Sequence, residues 1–259
     1  MSRVVPRKRS RKFISAIALA TMLIPLHAGA GLAEDAKGKM DEQALSVLKG
    51  MSDYLGSSQT LSFQAKAFFD VVTESGVKIK TGRQSDINMK RPNQLNIMAH
   101  GDDGSGATIW YDGEKLTFWR RDKNEVSSIE FKGKTDDMLN KIIEEYDITL
   151  PLADLFYSDV NKVFADNILS AEYVGVRIVG GVKCHQLSFE SVGADWQIWV
   201  EADATPVPRR FVIDFTAEEN RPQYMASMNN WSVGGEIGDY NFTAAVDESA
   251  KSVEFKKPE

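Results

Sequence analysis

The chain has 259 residues, of which 42% are hydrophobic, 26% charged and 10% aromatic; this excludes collagen-like, disordered and disulfide-framework classes and leaves enough apolar surface for a real core. The formal charge of −6 hides an asymmetry. Arg3, Arg7, Lys8, Arg9, Arg11 and Lys12 open the chain with no acid before Glu34, and residues 34–259 carry 25 basic against 37 acidic residues, a net −12. Phosphate binding needs Lys and Arg clustered on one face, so nucleic acid is not expected as a partner.

Residues 1–12 are a basic n-region, 13–26 (FISAIALATMLIPL) an apolar run, and Ala30 and Ala33 the small residues that end two cleavage-type triplets. These are the three parts of a secretory signal peptide; cleavage is expected after Ala33, with Ala30 the alternative. The apolar run is shorter than the roughly 20 residues that span a bilayer, and no later stretch is long and apolar enough. The expected organisation is therefore a leader over 1–33 and a single periplasmic domain over 34–259.

In the remainder, Asp41 can cap a helix reaching about Leu55, with Ala44, Leu45, Leu48, Met51 and Leu55 at helical spacing and Gly56 as its stop. The period then drops to two, and 60–72, 77–89, 94–100, 107–111, 114–120 and 126–131 read as strands. Asp112-Gly113 predicts a two-residue hairpin, in which Ile109 faces Leu116 and Trp110 faces Lys115 on the opposite side. The middle of the chain is helical. Thr135 can cap a helix over 136–146, Pro151 can open a short apolar helix over 150–156, and Asp159 can cap a turn carrying Val160, Val163 and Phe164. Strands resume over 170–179, 182–190, 196–201, 209–215, 223–231 and 252–255, with Gly180-Gly181 as a tight turn. The sum is an α+β fold: one large, curved antiparallel sheet covered by helices.

The only cysteine, Cys184, precedes His185. Successive strand residues point to opposite faces, so the pair diverges; Cys184 reads as a small buried hydrophobe, and no metal site or cofactor is expected. The acidic loop Asp102-Asp103-Gly104-Ser105-Gly106 lacks the longer, acid-spaced frame of a calcium loop. No nucleophile-and-base motif, phosphate loop or dinucleotide fingerprint is present, and the chain reads as non-enzymatic.

Lys90-Arg91-Pro92, the run from Trp110 to Thr117, the run from Tyr146 to Leu155, and Asp195-Trp196-Gln197-Ile198-Trp199 with Pro208-Arg209-Arg210 resemble a family of predicted periplasmic bacterial proteins, the domain of unknown function 2092. The resemblance implies a lipoprotein-carrier-like fold, a half-open β-barrel that holds acyl chains under a helical lid. The candidate ligand-binding residues are Trp110, Phe118, Trp119, Trp196, Trp199, Phe211, Phe215 and Trp231, aromatic groups on strands that can line a cavity between sheet and helices, with Arg209 and Arg210 available to an anionic headgroup or to acids such as Asp214. The expected partner is a hydrophobic small molecule (a lipid or acyl chain) or a lipidated protein. The alternative is an envelope protein–protein interaction module with a filled core.

Overall fold

The computed structural model describes residues 38–256 apart from Asp147, Thr149, Pro151 and Asp166. The leader expected over 1–33 and the helix-opening role of Pro151 lie outside the described residues.

Helix α1 (Glu42–Ser57) starts where the sequence places it, since the Asp41 carboxylate accepts from the backbone N–H of Gln43 and Ala44. It runs past Gly56, which is not its stop. A Cβ on Gly56 would stand 2.8 Å from the Ser158 carbonyl oxygen, so this glycine serves the close approach of another segment. Six strands then form a meander: β1 (Thr60–Val72), β2 (Lys78–Lys90), β3 (Gln94–Gly101), β4 (Gly106–Tyr111), β5 (Lys115–Arg120) and β6 (Glu125–Glu130). Helix α2 (Thr135–Tyr146), a 3-10 turn at Ala153–Leu155 and helix α3 (Val160–Ala165) lead into a second meander. Its strands are β7 (Ile168–Val179), β8 (Val182–Ser191), β9 (Ala194–Glu201), β10 (Pro208–Asp214) and β11 (Gln223–Val233), and the two-residue β12 (Lys251–Ser252) comes last.

All twelve strands join one sheet in the order β12-β6-β5-β4-β3-β2-β1-β11-β10-β9-β8-β7. The first and last strands of that order do not meet, so the sheet is open. Every pairing is antiparallel except β12 with β6, which is parallel. The two meanders are welded at the centre by β1 and β11.

Local differences from the sequence reading have local causes. Asp112 accepts from the N–H groups of Glu114 and Lys115, which moves the hairpin turn to Gly113-Glu114. Ile109 therefore faces Phe118 and Trp110 faces Thr117. A one-residue move of the turn changes each partner by two and leaves every side chain on its expected face. Thr135 is the first helical residue of α2 and does not cap it; the preceding Lys134 N–H donates to Asp137. Only 153–155 of the expected 150–156 helix forms, because Leu152 sits at φ +64° and breaks the right-handed path. The Gly180-Gly181 turn is present, with both glycines at positive φ between the paired Val179 and Val182.

Alternate residues of each strand point to the helices. Leu61, Phe63, Ile87, Met89, Leu95, Tyr111 and Leu116 join Leu48, Met51 and Leu55 of α1, Met138, Leu139 and Ile142 of α2, and the 187–228 strand residues in one core. Each such side chain removed from water contributes about 1.5–3 kcal/mol before its entropy cost. The opposite face also carries apolar groups. There Cys184 packs with Val179 and Trp199, and past β11 the 239–242 turn, with Phe242 1% exposed, packs against β3.

Candidate functional site

Beneath the helices the sheet is covered by helix side chains: Leu48, Met51 and Leu55 of α1 and Met138 and Leu139 of α2 are at most 1% exposed. Four of the ten predicted site residues lie in such filled regions. Trp196 stacks on Phe189 at 4.1 Å and meets Phe211 at 5.7 Å and Phe164 of α3 at 5.2 Å. Trp231 stacks on Phe63 at 4.1 Å and donates its indole N–H to the Pro208 carbonyl. Phe215 packs at the margin of the same core.

Trp110, Trp119 and Trp199 face away from the helices. Trp110 and Trp119 lie nearly parallel with centroids 6.3 Å apart, and the Arg210 guanidinium lies 5.5 Å above the Trp199 ring. The two predicted headgroup cations are thus differently placed. Arg209 is bound by Glu201, Nη2 to Oε2 at 2.6 Å, and does not pair with Asp214; Arg210 sits on the far face.

The strand register arranges the helix-side residues of the first meander in rows across the sheet. One row reads Phe63, Ile87, Ile97, Ile109, Phe118, all large. The next reads Ala65, Ser85, Ala99, Ala107, Arg120, and the one beyond it Ala67, Arg83, Gly101. On β1 to β4 side-chain volume falls between neighbouring rows and rises again at Phe69, leaving a trough of small side chains bordered by the Phe63–Phe118 row and Phe69 and ended on β5 by Arg120, which pairs with Glu125. Exposure rises at the same step on β2 to β4, where Ser85, Ala99, Gly101 and Ala107 reach solvent in part beside Ile87 at 4%, whereas on β1 Ala65 and Ala67 stay buried at 6% and 7% next to Phe63 at 2%. At the same end of the sheet Val77 and Ile79 are 58% and 53% exposed. Of the ten predicted site residues, Phe118 borders this trough.

Two arginines and the small residues escaped the sequence reading. Arg91, immediately after β2, donates from Nη1 to the Phe156 carbonyl at 2.9 Å and so ties the strand side to the segment between α2 and α3; its Nε and Nη2 are buried without a hydrogen-bond partner among the described residues. Arg83 lies in the trough with its guanidinium 5.9 Å from the Phe69 ring. The visible signal was Ala or Gly two to four residues from the large apolar groups of consecutive strands.

The Cys184–His185 pair and the acidic loop at Asp102–Asp103 form no reactive or metal site. His185 accepts or donates at Nδ1 with the Tyr173 hydroxyl at 2.8 Å, while Cys184 points the other way and burial raises its thiol pKa, keeping it protonated. Asp102 and Asp103 bind the backbone N–H groups of Gly82 and Ser105. Among the described residues no three His, Cys, Asp or Glu side chains converge as metal ligands. Two surface clefts of about 440 Å³ lie at the rim: one between the end of α1 and Ser158 to Asn161, the other between the β1–β2 turn and Glu218 to Asn220. Among the described residues no helix is long and apolar enough to cross a membrane.

No curated protein matches the chain. Among solved structures it is similar to the lipoprotein LppX of Mycobacterium tuberculosis, at 11% identity and a TM-score of 0.45 over 80% of this chain and 100% of that one. It is also similar to a LolA superfamily protein of Nitrosomonas europaea, at 11% identity and a TM-score of 0.38 over 78% and 97%. The MucA/MucB complex of Pseudomonas aeruginosa contains a chain matched at 12% identity and a TM-score of 0.41 over 78% and 61%. With a match that spans residues 44–256, this chain belongs to the family described as predicted periplasmic protein (DUF2092).

Proposed function

We propose that this protein is a non-enzymatic periplasmic binding protein that takes up an apolar chain, as a lipid or a lipidated partner, in the trough of its first meander. The observation that carries the reading is the drop in side-chain volume on β1 to β4 from the Phe63–Ile109 stretch to the Ala65–Ala107 stretch, on the helix side of the sheet, where exposure also rises on β2 to β4. Ala and Gly between large apolar walls leave room for methylene groups, and burying each methylene is worth about 0.8 kcal/mol. The helices hold the neighbouring rows rigid, which lowers the cost of forming the site. The titratable groups support binding and not bond cleavage: no acid, base and nucleophile converge there among the described residues.

A second reading, an envelope interaction module, draws on one edge of the sheet. Residues 38–41 pair with β7 only at Leu169 and Ala171, and further along Val176 and Ile178 are 51% and 64% exposed. Open apolar edges capture strands of other chains.

Native mass spectrometry of protein released from the periplasm without detergent separates the two. A discrete added mass that extraction resolves to a lipid supports the trough. A bare mass, with no uptake of a neutral fluorescent probe such as 1-aminoanthracene, sinks it and moves the weight to the edge.

A further inference from the structure

The two edges of the sheet are closed by different means. At β7 the covering chain, residues 38–41, runs straight into α1, which packs on β7, β8, β9 and α3. At β6 the cover is β12 and the residues that follow it. After the 239–242 turn has packed against β3, the chain reaches Asn124, whose side-chain amide donates to the Ser249 hydroxyl. It then pairs with β6 in parallel over two residues, Lys251 with Glu125 and Ser252 with Val126. Among the described residues two backbone bonds hold it there, from Lys251 N–H to the Asn124 carbonyl and from Val253 N–H to the Val126 carbonyl, both 2.8 Å. Alternation brings Val253 and Phe255 to the helix side, and Phe255 meets Tyr146, the last residue of α2, edge to face at 4.8 Å. Ser252 and Glu254 stay exposed.

Helix α2 is tied unevenly as well. At its start Thr135 N–H donates to the Pro92 carbonyl, Gly133 N–H to the Gly113 carbonyl, and Asp136 accepts from the N–H and hydroxyl of Ser158. At its end Tyr146 meets Phe255. A short parallel pairing on an edge strand and one ring contact can open locally while the sheet stays intact. Behind them lie Ile129 and Ser127 of β6 and Phe118 of β5, uncharged helix-side residues, Ser127 and Phe118 continuing the row that borders the trough. The Arg120–Glu125 pair lies one row further out, so a way in past Phe255 runs along Phe118 and avoids it. We infer that residues 251–256 are a releasable clasp, and that the apolar chain enters the helix–sheet space from the β6 side when Phe255 lifts away from Tyr146. This rests on the trough reading and deepens it by giving that site an entrance. Because the clasp is closed both before and after uptake, it sets how fast the chain enters and leaves, and not how tightly it is held.

The test reads rates, in a protein whose clasp can be locked. Val126→Cys with Ser252→Cys puts two thiols on paired residues of neighbouring strands, within reach of a disulfide, and Cys184 stays buried. Stopped-flow uptake of 1-aminoanthracene is expected to be about tenfold slower in the oxidised than in the reduced form, at an affinity within about threefold. Phe255→Ala is expected to speed uptake and release together, each by about threefold or more, again at nearly constant affinity. Equal uptake rates in the oxidised and reduced forms, or a Phe255→Ala variant that changes affinity without gaining in both rates, overturns the inference and leaves the trough reading standing. If the double-cysteine protein does not fold, Phe255→Ala decides. Failure of the wild type to bind the probe at all overturns the trough reading instead. Hydrogen exchange judges the clasp without any ligand: the Lys251 and Val253 amides are expected to exchange faster than those of β1, and faster still in Phe255→Ala. Exchange as slow as in β1 overturns the release on which the inference depends.

Discussion

The two meanders of this sheet use the same alternation for opposite ends. In β8, β9 and β10 the helix-side residues are Phe189, Trp196, Ile198 and Phe211, each at most 7% exposed and sealed by Phe164 of α3. In β1 to β4 the rows beyond Phe63 and Ile87 shrink to Ala65, Ser85, Ala99 and Ala107. One half is a solid core that positions the sheet; the other gives up packing in return for room. Large aromatic residues therefore mark stability here, and the proposed ligand site is marked by smaller side chains.

The largest expected effect breaks the solid half. Trp196→Ala removes the stack on Phe189 and the edge contact with Phe211, and destabilises the protein by about 3–5 kcal/mol in urea unfolding. A loss under about 1 kcal/mol would mean that the second meander is not the sealed core described. Next comes pH. Burial pushes the Asp154 carboxyl up to about 6 from its ordinary 3.8, so between these values the folded state binds more protons than the unfolded chain. Stability contributed by protonated Asp154 is thus present below about pH 4 and is lost as pH rises through about 6, on the order of 3 kcal/mol. Asp154→Asn flattens this window; an unchanged slope would place the titration elsewhere. Asp103, held low by the Ser105 hydroxyl and N–H, acts below that window with the opposite sign, losing its contribution as pH falls.

In the open half, Ala107→Phe fills the trough. It weakens 1-aminoanthracene or acyl-chain binding about tenfold, equivalent to about 1.4 kcal/mol, while thermal unfolding moves little because the site reaches solvent. Undiminished binding in that variant would show that the chain binds elsewhere. The smallest effect lies away from both rows: Asp41→Ala costs about 1 kcal/mol by uncapping α1, with no change in ligand affinity.

Much of this architecture was legible because period-two alternation survives errors of detail. The turn at Gly113-Glu114 falls one residue later than Asp112-Gly113 suggests, yet Ile109, Leu116 and Phe118 still share a face, as do Trp110 and Trp119. The Asp41 cap and the Gly180-Gly181 turn were readable because a short side chain or a positive φ acts within a few residues. The site was not readable in the same way. Alternation separates two faces without saying which one the helices cover, so Trp110, Trp119 and Trp199 drew attention from the far side. The row of Ala65, Ser85, Ala99 and Ala107 exists only after four strands are registered against one another.

The most direct test of the trough as the binding site is photo-crosslinking with a palmitate analogue that carries a diazirine at its chain end, with the adducts located by peptide mapping. Adducts are expected in the strands that hold Ala65, Ser85, Ala99 and Ala107, diminished in Ala107→Phe. Adducts confined to β7 around Val176 and Ile178, or none above a denatured control, would contradict it.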